Sequence, residues 1–173
     1  QRPKEAAQRT SFFRLSPTDY VGLHQRYATI LGNKTLTLAA PIKDELREEL
    51  RKKFAKMMSA LFKQKGANFD INIIASDEAQ DFINTHTSVL DSSFQKVEMS
   101  DLMRQRLTRS NYIFSGMKTF HELNEAFPSL LDENGNKKTF ERFLNDVRKI
   151  DETYNSNYLR AEYNFVQASA EMA

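Results

Sequence analysis

The side chains best suited to metal ligation or proton transfer near neutral pH are three histidines, His24, His86 and His121. None of them stands in the pattern that such chemistry requires. His86 shares helical spacing with Phe82 and Leu90, and neither Asn84 nor Thr87 offers a carboxylate, so a satisfied core histidine is favoured over a ligand. His121-Glu122 with Glu125 is a fragment of a zinc-protease helix, but position 125 holds glutamate where the motif needs a second histidine. The pairs Glu48-Glu49, Asp132-Glu133 and Asp151-Glu152 are adjacent in sequence. Adjacent helical positions do not face one another, so these pairs read as solvated faces and not as dyads sharing a proton. No serine lies in Gly-x-Ser-x-Gly, 5 scattered glycines build no phosphate loop, and cysteine is absent. The expectation is a protein without catalytic, metal or cofactor residues, and not an enzyme.

Two basic stretches could meet phosphates. Arg104, Arg106, Arg109 and Lys118 run along one helix near Tyr112, and Arg47, Arg51, Lys52, Lys53 and Lys56 form the other. Acidic residues lie among or near them, and 25 basic against 23 acidic residues leave a net charge of only +2. A solvated helix face is favoured, and weak DNA contact through Arg104, Arg106 and Arg109 is the minority reading. Tyr154, Tyr158, Tyr163 and Phe165 read as core and interface aromatics. Glu162 beside Tyr163 is the most site-like pair, and a capping or interhelical hydrogen bond from Glu162 is favoured over catalysis. The 6 methionines, Met57, Met58 and Met103 among them, suit adaptable packing at helix contacts and fit an assembly surface.

The elements that must position these residues are helical. Ile42, Leu46, Leu50, Phe54, Met57 and Leu61 recur at steps of four or three after Pro41, which is one face of a helix. Acidic Asp44, Glu45, Glu48 and Glu49 near its start and Lys63 and Lys65 near its end match the helix dipole, and Gly66 is the expected stop. Residues 69–74 alternate apolar and polar, giving at most a short strand and preferably an extended connector. Asp77 and Gln80 form a capping-box pattern ahead of Ala79, Phe82, Ile83, His86, Val89, Leu90 and Phe94. Ser100 or Asp101 starts a helix through Met103, Leu107, Phe114, Met117 and Phe120, with Gly116 marking a kink or a close helix contact. Pro128 ends that run, Asn134-Gly135 is a turn, and Thr139 caps a helix through Phe140, Phe143, Val147 and Ile150. The last helix carries Ile150, Tyr154, Tyr158, Ala161, Phe165 and Ala168.

Upstream, residues 1–16 read as a flexible arm, and a short helix follows through Tyr20, Leu23, His24, Tyr27 and Leu31. The sum is an all-α fold: an irregular bundle of about five to six helices, in a single domain spanning residues 17–173. The 173-residue chain is long enough for a core without staples. No apolar run approaches the roughly 20 residues that span a bilayer, so no membrane partner is expected.

Four segments, in order, resemble the phage Mu protein F-like minor head proteins. They are Phe114-Ser115-Gly116-Met117-Lys118-Thr119-Phe120-His121-Glu122-Leu123, Leu130-Leu131-Asp132-Glu133-Asn134-Gly135, Phe140-Glu141-Arg142-Phe143-Leu144-Asn145-Asp146-Val147, and Tyr154-Asn155-Ser156-Asn157-Tyr158-Leu159-Arg160-Ala161-Glu162-Tyr163. The resemblance covers residues 100–173; residues 1–99 match only as the upstream helical region such proteins carry. It implies a low-copy structural protein of head morphogenesis, bound to the portal or inner capsid surface, inside the virion and in the bacterial cytoplasm during assembly. Gly116, Lys118, Tyr154, Tyr158, Glu162 and Tyr163 fall in these segments as interaction or structural positions. The family continues into a module ending in Cys-x-Cys, which this chain lacks, so the chain reads as a fragment cut near its last helix. The alternative is a helical carrier or docking module for a toxin or effector domain encoded downstream. The assembly reading expects an apolar or methionine-rich surface patch.

Overall fold

The computed structural model describes residues 42–64 and 70–172. Among them the chain is all α, with five α-helices and no strand. They are α1 (Asp44–Lys63), α2 (Asp77–Asp91), α3 (Asp101–Ala126), α4 (Phe140–Glu152) and α5 (Tyr158–Met172). A π-helical turn, Thr153–Asn157, joins α4 to α5 without a break. The arm over residues 1–16, the expected helix around Tyr20 to Leu31 and the expected stop at Gly66 lie outside the described residues.

α1 begins with Asp44 and Glu45 and ends with Lys63, favourable at both dipole ends. It buries Leu50, Phe54, Met57, Met58 and Leu61. Met57 and Met58 are thus core residues, packed at helix contacts and not part of a surface patch. Residues 71–75 form a 3-10 turn and not a strand or extended connector. The Asp70 side chain accepts from the Asn72 N–H and starts that turn locally.

Ser76, not Asp77, caps α2: its Oγ accepts from the Ala79 N–H at 3.2 Å. Gln80 turns away to donate to the Ile74 carbonyl at 2.8 Å, so the expected reciprocal box does not form. The capping register is set one residue earlier because Ser76 holds the extended backbone that a cap requires. Ser100 caps α3 by accepting from the Met103 N–H, and Thr139 caps α4 by accepting from the Arg142 N–H.

The 26-residue α3 runs through Gly116 as uninterrupted helix, and a Cβ there would meet nothing within 4 Å. Neither the kink nor the close contact expected at this glycine is found. The apolar positions Met103, Leu107, Phe114, Met117 and Phe120 are only half-buried. The face turned inward carries Asn111, Ser115, Lys118, Thr119 and Glu122, with Leu123 and Ala126 toward the C-terminal end. Beyond a 3-10 turn containing Pro128, the Leu131–Lys137 bridge closes a small loop. Gly135 sits there at φ +79, the left-handed region open to glycine.

The apolar core joins all five helices. α1 supplies Leu50, Phe54 and Leu61; α2 supplies Phe82, Val89 and Leu90; α3 supplies Leu123 and Ala126. α4 adds Phe143 and Val147, and α5 adds Leu159, Tyr163, Val166 and Ala170. Each fully buried side chain of this kind contributes about 1.5–3 kcal/mol. α2 is the hub, packed by α1, α3 and α5. Among the described residues no helix is long and apolar enough to cross a membrane.

Candidate functional site

Beside this apolar core lies a second, polar one. His86 from α2, Ser115, Lys118 and Glu122 from α3, Tyr154 and Asn155 from the π-turn, and Glu162 from α5 are all buried. Lys118 is only 1% exposed, and its Nζ has three partners. It donates to the Glu162 Oε2 at 2.8 Å, to the Tyr154 carbonyl at 2.6 Å and to the His86 Nε2 at 3.0 Å. An ammonium has three donors, so none is left over.

The π-turn explains why a carbonyl is available. In an α-helix the Tyr158 N–H would bond to the Tyr154 oxygen. Here it bonds to Thr153, one residue further back, and the Tyr154 oxygen is released to Lys118. Without the lysine, a buried carbonyl would lack its usual partner.

The same donor fixes the histidine. Burial, then the adjacent Lys118, holds the His86 pKa down at about 4, against the opposing pull of Glu162. The ring is therefore neutral at pH 7. Its Nε2 accepts from Lys118, so the hydrogen sits on Nδ1, which donates to the Ser115 Oγ at 2.6 Å. The 3.3 Å approach of Nε2 to the Glu162 Oε2 is accordingly not an ion pair, because the neutral ring offers no hydrogen on that side. Burial works to raise the Glu162 pKa, but the Lys118 ammonium outweighs it and holds the carboxylate below its ordinary range. Ser115, His86 and Glu162 stand in the order of a hydrolase triad but with the polarity reversed, since the imidazole donates to the serine and offers the carboxylate no hydrogen. Ser115 is 0% exposed, and Lys118 occupies the face of the imidazole that a triad gives to its carboxylate alone.

Glu122 is the opposite case. Burial dominates over Lys118 and pushes its pKa up to about 8, so it is a neutral acid at pH 7. Asn155 Nδ2 donates to the Glu122 Oε1 at 2.8 Å and to the Asp151 Oδ1 at 2.9 Å. The Glu122 Oε2 and the Asn155 Oδ1 are both buried and have no conventional donor. Burial also raises the Asp151 pKa. Asp151 lines a crevice of about 510 Å³ with Arg51, Arg148, Glu152 and Ser156, so the chain of polar groups ends at solvent there. Asp151 is therefore part of this network, which corrects its reading as a solvated-face residue; Glu152 is exposed as expected.

Of the positions singled out by sequence, Lys118, Tyr154 and Glu162 meet in this network. Tyr154 also donates its hydroxyl to Glu125. Tyr158 packs edge-on against Tyr154 at 5.8 Å, and Tyr163 joins the apolar core. Gly116 lies outside the network. Arg104 is used internally: it donates to the Phe94 and Val97 carbonyls and lies over the Phe94 ring. Arg106 and Arg109 are exposed. Sequence reasoning missed Ser115, Glu122 and Asn155. The signal was present in α3, where Asn111, Ser115, Lys118, Thr119 and Glu122 repeat at the helical period normally sought among apolar residues. Burial pushes the His121 pKa down against the pull of Glu125. No group of three metal-ligating side chains that could hold a metal ion occurs among the described residues. Comparison with protein-family models, with curated proteins and with solved structures gives no match.

Proposed function

We propose that this chain is a helical docking region of a structural assembly protein, a minor head protein of a phage or prophage. In this reading it binds the portal or the inner capsid surface and works inside the virion. One observation carries the reading. The first and last of the segments that resemble the minor head proteins are tied together by the buried Lys118–Glu162 pair and the Lys118–Tyr154 carbonyl bond. The residues most able to do chemistry are therefore placed where they fix helix positions. A rigid helical frame with its ionisable groups turned inward suits docking better than turnover. The exposed apolar residues Leu102 and Ile113 on α3 leave apolar side chains available to a partner.

The test is direct binding. The purified chain is mixed with purified portal rings and with empty capsid shells, and sedimentation reads the bound fraction. Saturable binding to either is the expected result. No binding to both at micromolar chain refutes the docking reading.

A further inference from the structure

We propose that the outward face of α3 is the docking surface and that its occupant is an acidic amphipathic helix of a partner protein. This deepens the assembly reading and rests on it. The buried residues of α3 define its inward direction, and Leu102, Arg106, Arg109 and Ile113 lie on the opposite side at steps of four, three and four. All four are exposed, Leu102 by 58% and Ile113 by 51%. The two apolar residues are three helical turns, or about 16 Å, apart. Both arginines lie between them.

Among the described residues neither arginine forms an ion pair, although some other cations do. Arg51 pairs with Glu48, Lys53 with Asp81 and Lys138 with Asp146. Around Arg106 and Arg109, the positions three and four residues away are Leu102, Met103, Gln105, Ser110, Tyr112 and Ile113, besides each other. None is acidic. Beside the stripe lies a groove of about 750 Å³ between α2 and α3, whose charged lining is balanced, Asp91 and Asp101 against Arg104 and Arg109, so the unbalanced positive charge is that of the stripe itself.

Charge selects the occupant. A second copy packed antiparallel would place Leu102 against Ile113 but also Arg106 against Arg109, a like-charge contact. The chain's own arm is basic, with Arg2, Lys4, Arg9 and Arg14 against Glu5 alone. Duplex DNA would be held by two arginines while Leu102 and Ile113 stayed unmatched, which favours a protein partner. A helix with two apolar anchors three turns apart and carboxylates between them satisfies every group of the stripe.

The probe is a synthetic helical peptide with leucines eleven residues apart and glutamates between, compared with its lysine counterpart and with duplex DNA. Fluorescence anisotropy against the full chain reads binding. Saturable binding of the acidic peptide alone is expected. It should fall about tenfold or more with Leu102→Ser/Ile113→Ser, and Arg106→Glu/Arg109→Glu should transfer preference to the lysine peptide. Circular dichroism checks that the variants stay folded. No acidic-peptide binding, binding that ignores both variants, or tighter binding of DNA overturns the proposal. The variants are also tested on portal rings. Wild-type binding lost only in the variants supports the surface. Binding retained by both variants overturns the surface and leaves the assembly reading standing; absence of wild-type binding to rings and shells sinks the reading itself.

Discussion

Glu122→Gln isolates the buried acid. The Glu122 pKa rises from 4.5 to about 8 on folding, chiefly through burial. Between these values the folded chain holds a proton that the unfolded chain releases, so stability falls as pH rises. That stability is fully present below 4.5 and lost as pH rises through 8. His86 has the opposite sign: its pKa drops from 6.5 to about 4, so its contribution is present above 6.5 and lost as pH falls through 4. Between 4.5 and 6.5 the two slopes nearly cancel. Above 6.5 Glu122 acts without that opposition, at about 1.4 kcal/mol per pH unit, and the loss by pH 8 comes to ~2 kcal/mol. That is a sizeable share of the roughly 5–15 kcal/mol that holds a domain folded. Glutamine keeps the Oε1 that accepts from Asn155 and adds an N–H, but does not titrate. Urea unfolding, followed by circular dichroism at pH 5, 6.5 and 8, reads the effect. The wild-type chain should be about equally stable at the first two values and weaker at the third. The variant should lose the alkaline decline and gain an acid one, since His86 is then unopposed. A wild-type profile flat from pH 6.5 to 8, or an unchanged decline in the variant, refutes the reasoning.

Other perturbations test the same frame. Lys118→Met strands the buried Glu162 charge and the Tyr154 carbonyl and should cost about 3–5 kcal/mol; denaturant unfolding of Lys118→Met/Glu162→Leu should recover much of that loss, and a double variant as weak as the single one would contradict the pairing. Gly116→Ala should stabilise by roughly 1 kcal/mol, because the added methyl meets nothing within 4 Å inside a helix. A lower melting temperature for that variant would show that the helix needs the glycine. Gly135→Ala should destabilise by about 1–2 kcal/mol, since its φ of +79 is strained for any side chain. An unchanged melt would mean that the turn relaxes.

The helical character was legible because α1, α2 and α4 bury apolar residues at helical spacing and begin at serine, threonine or acidic signals. The connector before α2 was misread because alternation in residues 69–74 mimics a strand, whereas Asp70 folds it locally into a turn. α3 misled more deeply. Its apolar residues mark a half-buried side, and its buried side is a polar stripe that hydrophobic periodicity does not detect. Lys118 and Glu162 each stood out, but their meeting depends on the π-turn. No local signal in Thr153-Tyr154-Asn155-Ser156-Asn157 announces a register that frees one carbonyl for a lysine on another helix. Glu122 looked like part of a failed zinc motif because its partner, Asn155, lies 33 residues away.

The most direct test of the assembly reading is the composition of particles made in the native genetic setting. Capsids and their precursors are purified through density gradients, and quantitative mass spectrometry measures this chain against the portal protein. A constant, low-copy ratio to portal across fractions is the predicted result. Absence of the chain from both mature particles and precursors would contradict it.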